Sequence, residues 1–292
     1  MKYLLIICAG FFLRPLFLEG QSQGGSWQGS GPSSFLNDAL SDMDKAFNAI
    51  DEEATLEDEY YLGRAVAANI LSAYKPYTAK PELTRYLNRI CLTLAINSAQ
   101  PELFNGYHVI ILDTPGFNAF ASPGGHIFLT RGLVEAAPSE DALAGVIAHE
   151  LAHILLKHSI KIIDDMKLNE EMTAMANRAA YLAGRNSTAE RVMFFRNSVS
   201  AVIDAMLKNG YTQPQEFEAD NIAVSLLAAS GYDPGGLMEM LRVLQQVQGS
   251  QRDGFNSTHP SPEQRIANIE TASARFRVQD TRSRRTPRFT NK

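Results

Sequence analysis

The chain has 292 residues, 45% hydrophobic and 20% charged, with a formal net charge of −5 and an isoelectric point near 5.7. That length and apolar content provide for one large core or two modest ones, so the protein is globular. The acidic balance excludes nucleic acid as a default partner, because phosphate binding needs a positive surface field.

Residues 1–20, "MKYLLIICAGFFLRPLFLEG", carry one early lysine and an uncharged, mainly apolar run from Tyr3 to Leu13. The run suits an export signal and falls short of the ~20 apolar residues that span a bilayer. Arg14 and Pro15 interrupt it, which leaves a retained N-terminal membrane tether as the competing reading. Cys8 lies too near the start to serve as a lipid attachment site. With residues 1–20 removed, Cys91 is the only cysteine, so the reading is a small core residue and no internal disulfide. Residues 21–34 form a Gly/Ser/Gln linker, expected to be flexible. The folded domain is expected over residues 35–270, with a basic disordered tail over 271–292.

From Phe35 to Tyr74 the pattern is helical, with Thr55 placed as an N-cap three residues before Asp58. Pro76 and Pro81 interrupt it before "PELTRYLNRICLTLAINSA" resumes a helix. Between Tyr107 and Leu129 the period changes. "YHVIILD" and "HIFLT" are β-rich runs separated by "TPGFNAFASPGG", which predicts two or three strands joined by turns. Pro138 and Ser139 open the next helix, with Glu140 and Asp141 in its first turn, where negative charge suits the helix dipole.

That helix carries "VIAHELAHILLKH". His149 and His153 are four apart and project from one face, with Glu150 beside them. This is the HExxH arrangement, in which two imidazoles bind zinc and a carboxylate takes a proton from water on the metal. An ordinary amphipathic helix with solvent-facing histidines is the alternative. Against it, Leu143, Val146, Ile147, Leu151, Ile154 and Leu155 spread round the helix, which implies burial on most sides. Buried His and Glu are costly unless paired or bound to metal.

A catalytic zinc takes three protein ligands and an open position. The HExxHxxGxxH route fails, since Leu156 and Ser159 stand where glycine and the third histidine would be. The later segment "QEFEADNIAVSLLAASGYDP" offers a glutamate instead. Glu216 and Asp220 share a helix face, whereas Glu218 points roughly opposite. Glu216 is therefore the predicted third ligand, and Asp220 the group that accepts a hydrogen bond from a ligand histidine. His158, five positions past His153, lies off the ligand face and reads as a supporting or structural residue. His108 and His126 read as structural.

"AHELAHILLKH", "EFEADNIAVSLLAASGYDP", "STHPSPEQRIANI" and "NAFASPGGHIFLTRGLVEA" together resemble the zinc metallopeptidases that include the CAAX prenyl protease, the heat-shock membrane protease and the bacterial β-barrel assembly-enhancing protease. The resemblance covers most of Glu52 to Ile269. It implies an α+β, mainly helical fold, a gluzincin-like small sheet on an active-site helix, with one zinc on His149, His153 and Glu216 and Glu150 as general base. It also places His259 near the metal, either donating a hydrogen bond to an oxyanion or occupying zinc as a fourth ligand that holds the enzyme latent. Arg265 is expected to orient that loop or pair with an acid.

The expected function is a zinc endopeptidase for unfolded or misassembled envelope proteins, exported to a bacterial periplasm or envelope. The alternative is a metal-binding chaperone or assembly factor that cuts little. Glu150 favours the enzyme, because a pure binder has little use for it. Asn118, Ala119 and Phe120 are expected to present an exposed strand edge to an extended peptide, with a plain core strand as the alternative. No later uncharged run approaches a membrane span, so no transmembrane bundle is expected. The insert Ile160 to Gln215, with Met166, Met172, Met175, Met193 and Met206, reads as adaptable core, with a lid over the cleft as the alternative.

Overall fold

A computed structural model describes residues 55–163, 197, 199–247, 259–277 and 281–290. The predicted export signal and linker, residues 35–54 of the first helical pattern and all insert methionines except Met206 lie outside them.

The fold is α+β and mainly helical. Helix α1 (Leu56–Ala73) and helix α2 (Pro81–Ala95) precede strands β1 (His108–Leu112), β2 (Ala119–Ser122) and β3 (His126–Thr130). Short helix α3 (Arg131–Ala136) leads into helix α4 (Glu140–Leu155), which carries HExxH. A π-helical turn over Ala205–Asn209 precedes α5 (Gln213–Ala229), α6 (Gly236–Val247), α7 (Pro262–Ser273) and α8 (Arg282–Thr290). Among the described residues no helix is long and apolar enough to cross a membrane.

The sheet has the order β1-β3-β2, with β1 parallel and β2 antiparallel to β3. Side chains alternate across it with period two. Val109, Ile111, Ala119, Ala121, Ile127 and Leu129 join one core with α2, α4, α5 and α6. Leu112, Phe120 and Phe128 join a second core with α1 and the insert residues Ile163, Val199, Val202 and Met206. Met206 is thus core, as expected for an adaptable apolar side chain.

Helix α4 is buried from Glu140 to Ile154 because it is enclosed by α2, α5, α6 and β2. Its N-terminus has a side-chain cap, since Ser139 Oγ accepts from Ala142 N–H at 3.0 Å. Gly145 sets the closest approach: a Cβ there would lie 2.3 Å from the Leu237 backbone nitrogen on α6.

Two expectations need correction. The first concerns the tail. Arg282–Thr290 forms helix α8 rather than a disordered segment, because its arginines meet acids at the start of α4. Arg285 Nη2 lies 2.8 Å and Nε 3.2 Å from the two carboxylate oxygens of Asp141. Arg288 Nε lies 2.6 Å from Glu140 Oε2 and its Nη2 contacts Oε1. Arg282 pairs with Asp233 and, at 2.8 Å, with Glu239. Glu140 also accepts from Tyr86 at 2.7 Å and Tyr232 at 3.2 Å.

The second concerns the strand carrying Ala119 and Phe120. Strand β2 is at the sheet edge but is not exposed: all four of its residues are buried, and the turn Ala205–Asn209 packs against it. The small and apolar "AFAS" sequence that fits an edge strand for peptide pairing fits equally well between α4 and the insert.

Candidate metal centre

Four side chains from three elements converge on the inner face of α4. His149 and His153 come from α4 and Glu216 from the first turn of α5. His259 comes from the residues just before α7. Each offers a ligand atom, and these lie within 4.8 Å of one another. The side chains are buried, His259 being 4% exposed.

The two ring Nε2 atoms are 3.1 Å apart. His149 Nε2 lies 3.5 Å from Glu216 Oε2, and His153 Nε2 lies 3.6 Å from Glu216 Oε1. Donors bound tetrahedrally at 2.0–2.1 Å would stand about 3.3–3.4 Å apart, so His149, His153 and Glu216 already have the spacing of a zinc site. His259 Nδ1 is closer, 2.7 Å from Glu216 Oε2. Two buried oxygens, Glu150 Oε1 and Glu216 Oε1, have no hydrogen-bond partner. Buried carboxylates without partners are costly, and a divalent cation between the donors would satisfy Glu216. The nitrogen and oxygen donor set suits zinc.

The outward faces of the rings are also held. His149 Nδ1 lies 3.0 Å from Asp220 Oδ1. Arg265, fully buried on α7, grips Asp220 through Nη2 at 2.6 Å and Nε at 3.1 Å and comes within 3.7 Å of Glu216. His153 Nδ1 lies 2.8 Å from His158 Nδ1. The ring of Tyr211 stacks on His153, centroids 4.3 Å apart and planes inclined by 20°, and its hydroxyl lies 2.7 Å from Ser159 Oγ.

These contacts set the protonation states. Burial and Arg265 oppose a charge on His149, but the carboxylates of Asp220 and Glu216 outweigh them and push it up to about 9. Burial, then His149, holds His153 well below the ordinary histidine value. Burial opposes the charge on Glu216, yet His259, His149 and His153 outweigh it and keep the carboxyl well below its usual range. Burial likewise disfavours ionised Asp220, and Arg265 reverses the balance. Glu150 differs: burial pushes it up, and the neighbouring cations only partly offset this. A carboxylate raised in this way is a better proton acceptor than one at its ordinary value.

The structure brings together His149, Glu150, His153, Glu216, Asp220, His259 and Arg265. It places His108 and His126 elsewhere, facing each other across β1 and β3 with ring centroids 6.2 Å apart. Residues 119 and 120 of the predicted substrate strand lie in the sheet, with Phe120 in the second core. The stacking of Tyr211 on His153 is not legible in the sequence, because an isolated tyrosine before a helix carries no local signal.

Comparison with known proteins matches residues 81–273 to the description "Peptidase family M48". The chain is 28% identical over 204 residues to a "Beta-barrel assembly-enhancing protease" of Escherichia coli, covering 69% of this chain and 41% of the relative. It is 25% identical over 274 residues to a protein of the same name from Yersinia pestis, covering 93% of this chain and 54% of the relative. It is 30% identical over 203 residues to a mitochondrial metalloendopeptidase of Schizosaccharomyces pombe, covering 69% and 54%. The chain therefore spans about half the length of these relatives.

Proposed function

The chain belongs to peptidase family M48, and from that premise we propose that it is a zinc-dependent endopeptidase that hydrolyses unfolded or misassembled polypeptides of a bacterial cell envelope. The observation that carries this reading is the donor set His149, His153 and Glu216 at zinc spacing, with buried Glu150, whose Oε1 has no hydrogen-bond partner, beside it.

When bound, zinc acidifies water to a pKa of about 7 and polarises a carbonyl. The remaining chemistry belongs to side chains. Glu150 accepts a proton from the attacking water and delivers it to the leaving amine nitrogen, which breaks the C–N bond. His259 donates a hydrogen bond to the oxygen that becomes negative during attack. Asp220, fixed by Arg265, orients His149.

The envelope address rests on the apolar run at residues 3–13 and on similarity to proteins named for β-barrel assembly. A second reading draws on one observation. His259 Nδ1, 2.7 Å from Glu216, makes the donor set four rather than three, and a closed set is the mark of a structural zinc or a latched enzyme.

The test is cleavage of an unfolded casein-like protein by the zinc-loaded protein and by Glu150→Gln, with metal content measured on both. Cleavage by the parent and none by a zinc-replete Glu150→Gln is the expected result. If both hold zinc and neither cuts, His259→Ala decides: release of activity indicates a latch, and continued silence favours the chaperone.

A further inference from the structure

His153 and His149 differ in how their outer nitrogens are held. His149 faces a carboxylate, Asp220, at 3.0 Å. His153 faces a second histidine: its Nδ1 is 2.8 Å from His158 Nδ1, and the rings meet edge-on at 4.9 Å between centroids. His158 is fully buried, and its other nitrogen, Nε2, makes no hydrogen bond but has Glu218 Oε2 as a charged neighbour 3.5 Å away. Glu218 is half-exposed, on the side of α5 that leads to solvent.

Only one arrangement of protons fits this chain of contacts. His153 Nε2 points at the other donors, so it must keep a lone pair there to ligate, and the ring proton sits on Nδ1. Two N–H groups cannot face each other at 2.8 Å, so His158 Nδ1 accepts. The proton of His158 then resides on Nε2, toward the Glu218 carboxylate. We propose that His158 and Glu218 are positioning residues that fix the tautomer and ring angle of His153, so that its Nε2 is presented to zinc. The inference rests on the zinc reading above. The three acids of "EFEAD" thereby divide the work: Glu216 enters the donor set, Asp220 holds His149, and Glu218 backs the histidine that holds His153.

The local backbone is shaped for this contact. Lys157, at the end of α4, has φ +53°, the left-handed region that a non-glycine residue enters at a cost. Its ammonium group pairs at 2.6 Å with buried Glu59 of α1. The turn held in this way folds His158 back beneath His153 instead of continuing the helix away from it.

The test uses the full chain with zinc ion as the probe, measuring affinity by competition with a chromogenic chelator and the fold by circular dichroism. Cobalt(II) absorption in the visible region reports ligand geometry independently of activity. His158→Ala is expected to weaken zinc binding by about 10- to 100-fold, the usual effect of losing a ligand's supporting partner. His158→Asn, whose side-chain oxygen can stand where Nδ1 accepts, is expected to recover most of the loss. His158→Phe, which fills the volume without an acceptor, is not. Glu218→Gln is expected to weaken binding only a few-fold. Equal affinities in the parent, His158→Ala and His158→Phe would overturn the inference, and so would His158→Asn binding no better than His158→Phe, since packing alone would then explain the site. If His158→Ala does not fold, the comparison of the Asn and Phe variants decides. A parent that takes up no zinc would overturn the zinc reading and this inference with it.

Discussion

Replacing Arg285 by alanine tests whether the C-terminal helix holds the start of the metal-bearing helix. Arg285 makes a two-pronged contact with Asp141 at 2.8 and 3.2 Å, also donates to the Gly231 carbonyl at 3.0 Å and lies over the Tyr232 ring at 5.1 Å. Both partners are nearly inaccessible, with side-chain exposures of 8% and 3%. Removing one partner of a buried pair costs about 3–5 kcal/mol, because the other charge is left uncompensated. Asp141 keeps two compensations, a bond from the Asp233 N–H at 2.8 Å and its place in the first turn of α4, where the helix dipole favours an anion. The lower end, about 3 kcal/mol, is therefore expected, or a fall of about 6–12 °C in melting temperature for a domain of this size. Thermal unfolding by circular dichroism at fixed zinc concentration measures it. The loss should persist in high salt, since screening acts weakly on buried pairs, and Arg285→Ala with Asp141→Asn should cost less than the two separate losses added. A change below about 0.5 kcal/mol for Arg285→Ala, the range of an ordinary surface substitution, would refute the argument.

Three further outcomes follow from particular contacts. Gly145→Ala puts a methyl 2.3 Å from the Leu237 backbone nitrogen, so α4 and α6 must part; a loss at or above the about 1–3 kcal/mol usual for overpacking is expected in the denaturation midpoint. Burial, then neighbouring His108, lowers His126 to about 4, while in the unfolded chain it titrates near 6.5. The folded form is thus disfavoured by acid: its stability is complete above pH about 6.5 and falls by about 3 kcal/mol as pH drops to about 4, and an NMR titration placing His126 near 6.5 would remove that basis. Asp220→Asn keeps the shape beside His149 but loses the charge that Arg265 and the imidazole share, and chelator competition should show zinc affinity lower by about 10- to 100-fold.

The donor set could be read from sequence because helical spacing converts numbering directly into geometry. His149 and His153 at i and i+4, and Glu216 and Asp220 at i and i+4, each fall on one face of their own helix, and the apolar residues between them required burial. The strands were legible from β-rich runs bounded by glycine and proline. What stayed hidden depends on contacts between residues far apart in the chain. Arg285 and Asp141 are separated by 144 residues, and nothing within the arginine-rich tail shows that buried acids await it, so its composition reads as a solvated segment. The β2 edge reads as open because the residues that cover it, 205–209, lie in an insert whose pattern is helical without a stated destination. Glu218 could be placed away from Glu216 by angle alone, but its contact with His158 needed the left-handed turn at Lys157, which no sequence rule predicts for a lysine.

The two ends of the metal-bearing helix are held by parts of the chain that lie outside the family match at residues 81–273. At its start, Glu140 and Asp141 are neutralised by Arg288 and Arg285 of α8. Near its end, Lys157 is held by Glu59 of α1. Between these anchors α5 and α6 enclose the helix, and Gly145 brings α6 into close backbone approach. A helix clamped at both ends holds its two imidazoles and Glu150 in fixed register, and the packing of α5 against it brings Glu216 to them. Gathering three buried histidines and three buried acids in one place is costly, and these packing contacts offset that cost. Weakening the anchors at α1 or α8 is therefore expected to lower the metal affinity of the site along with the stability of the domain.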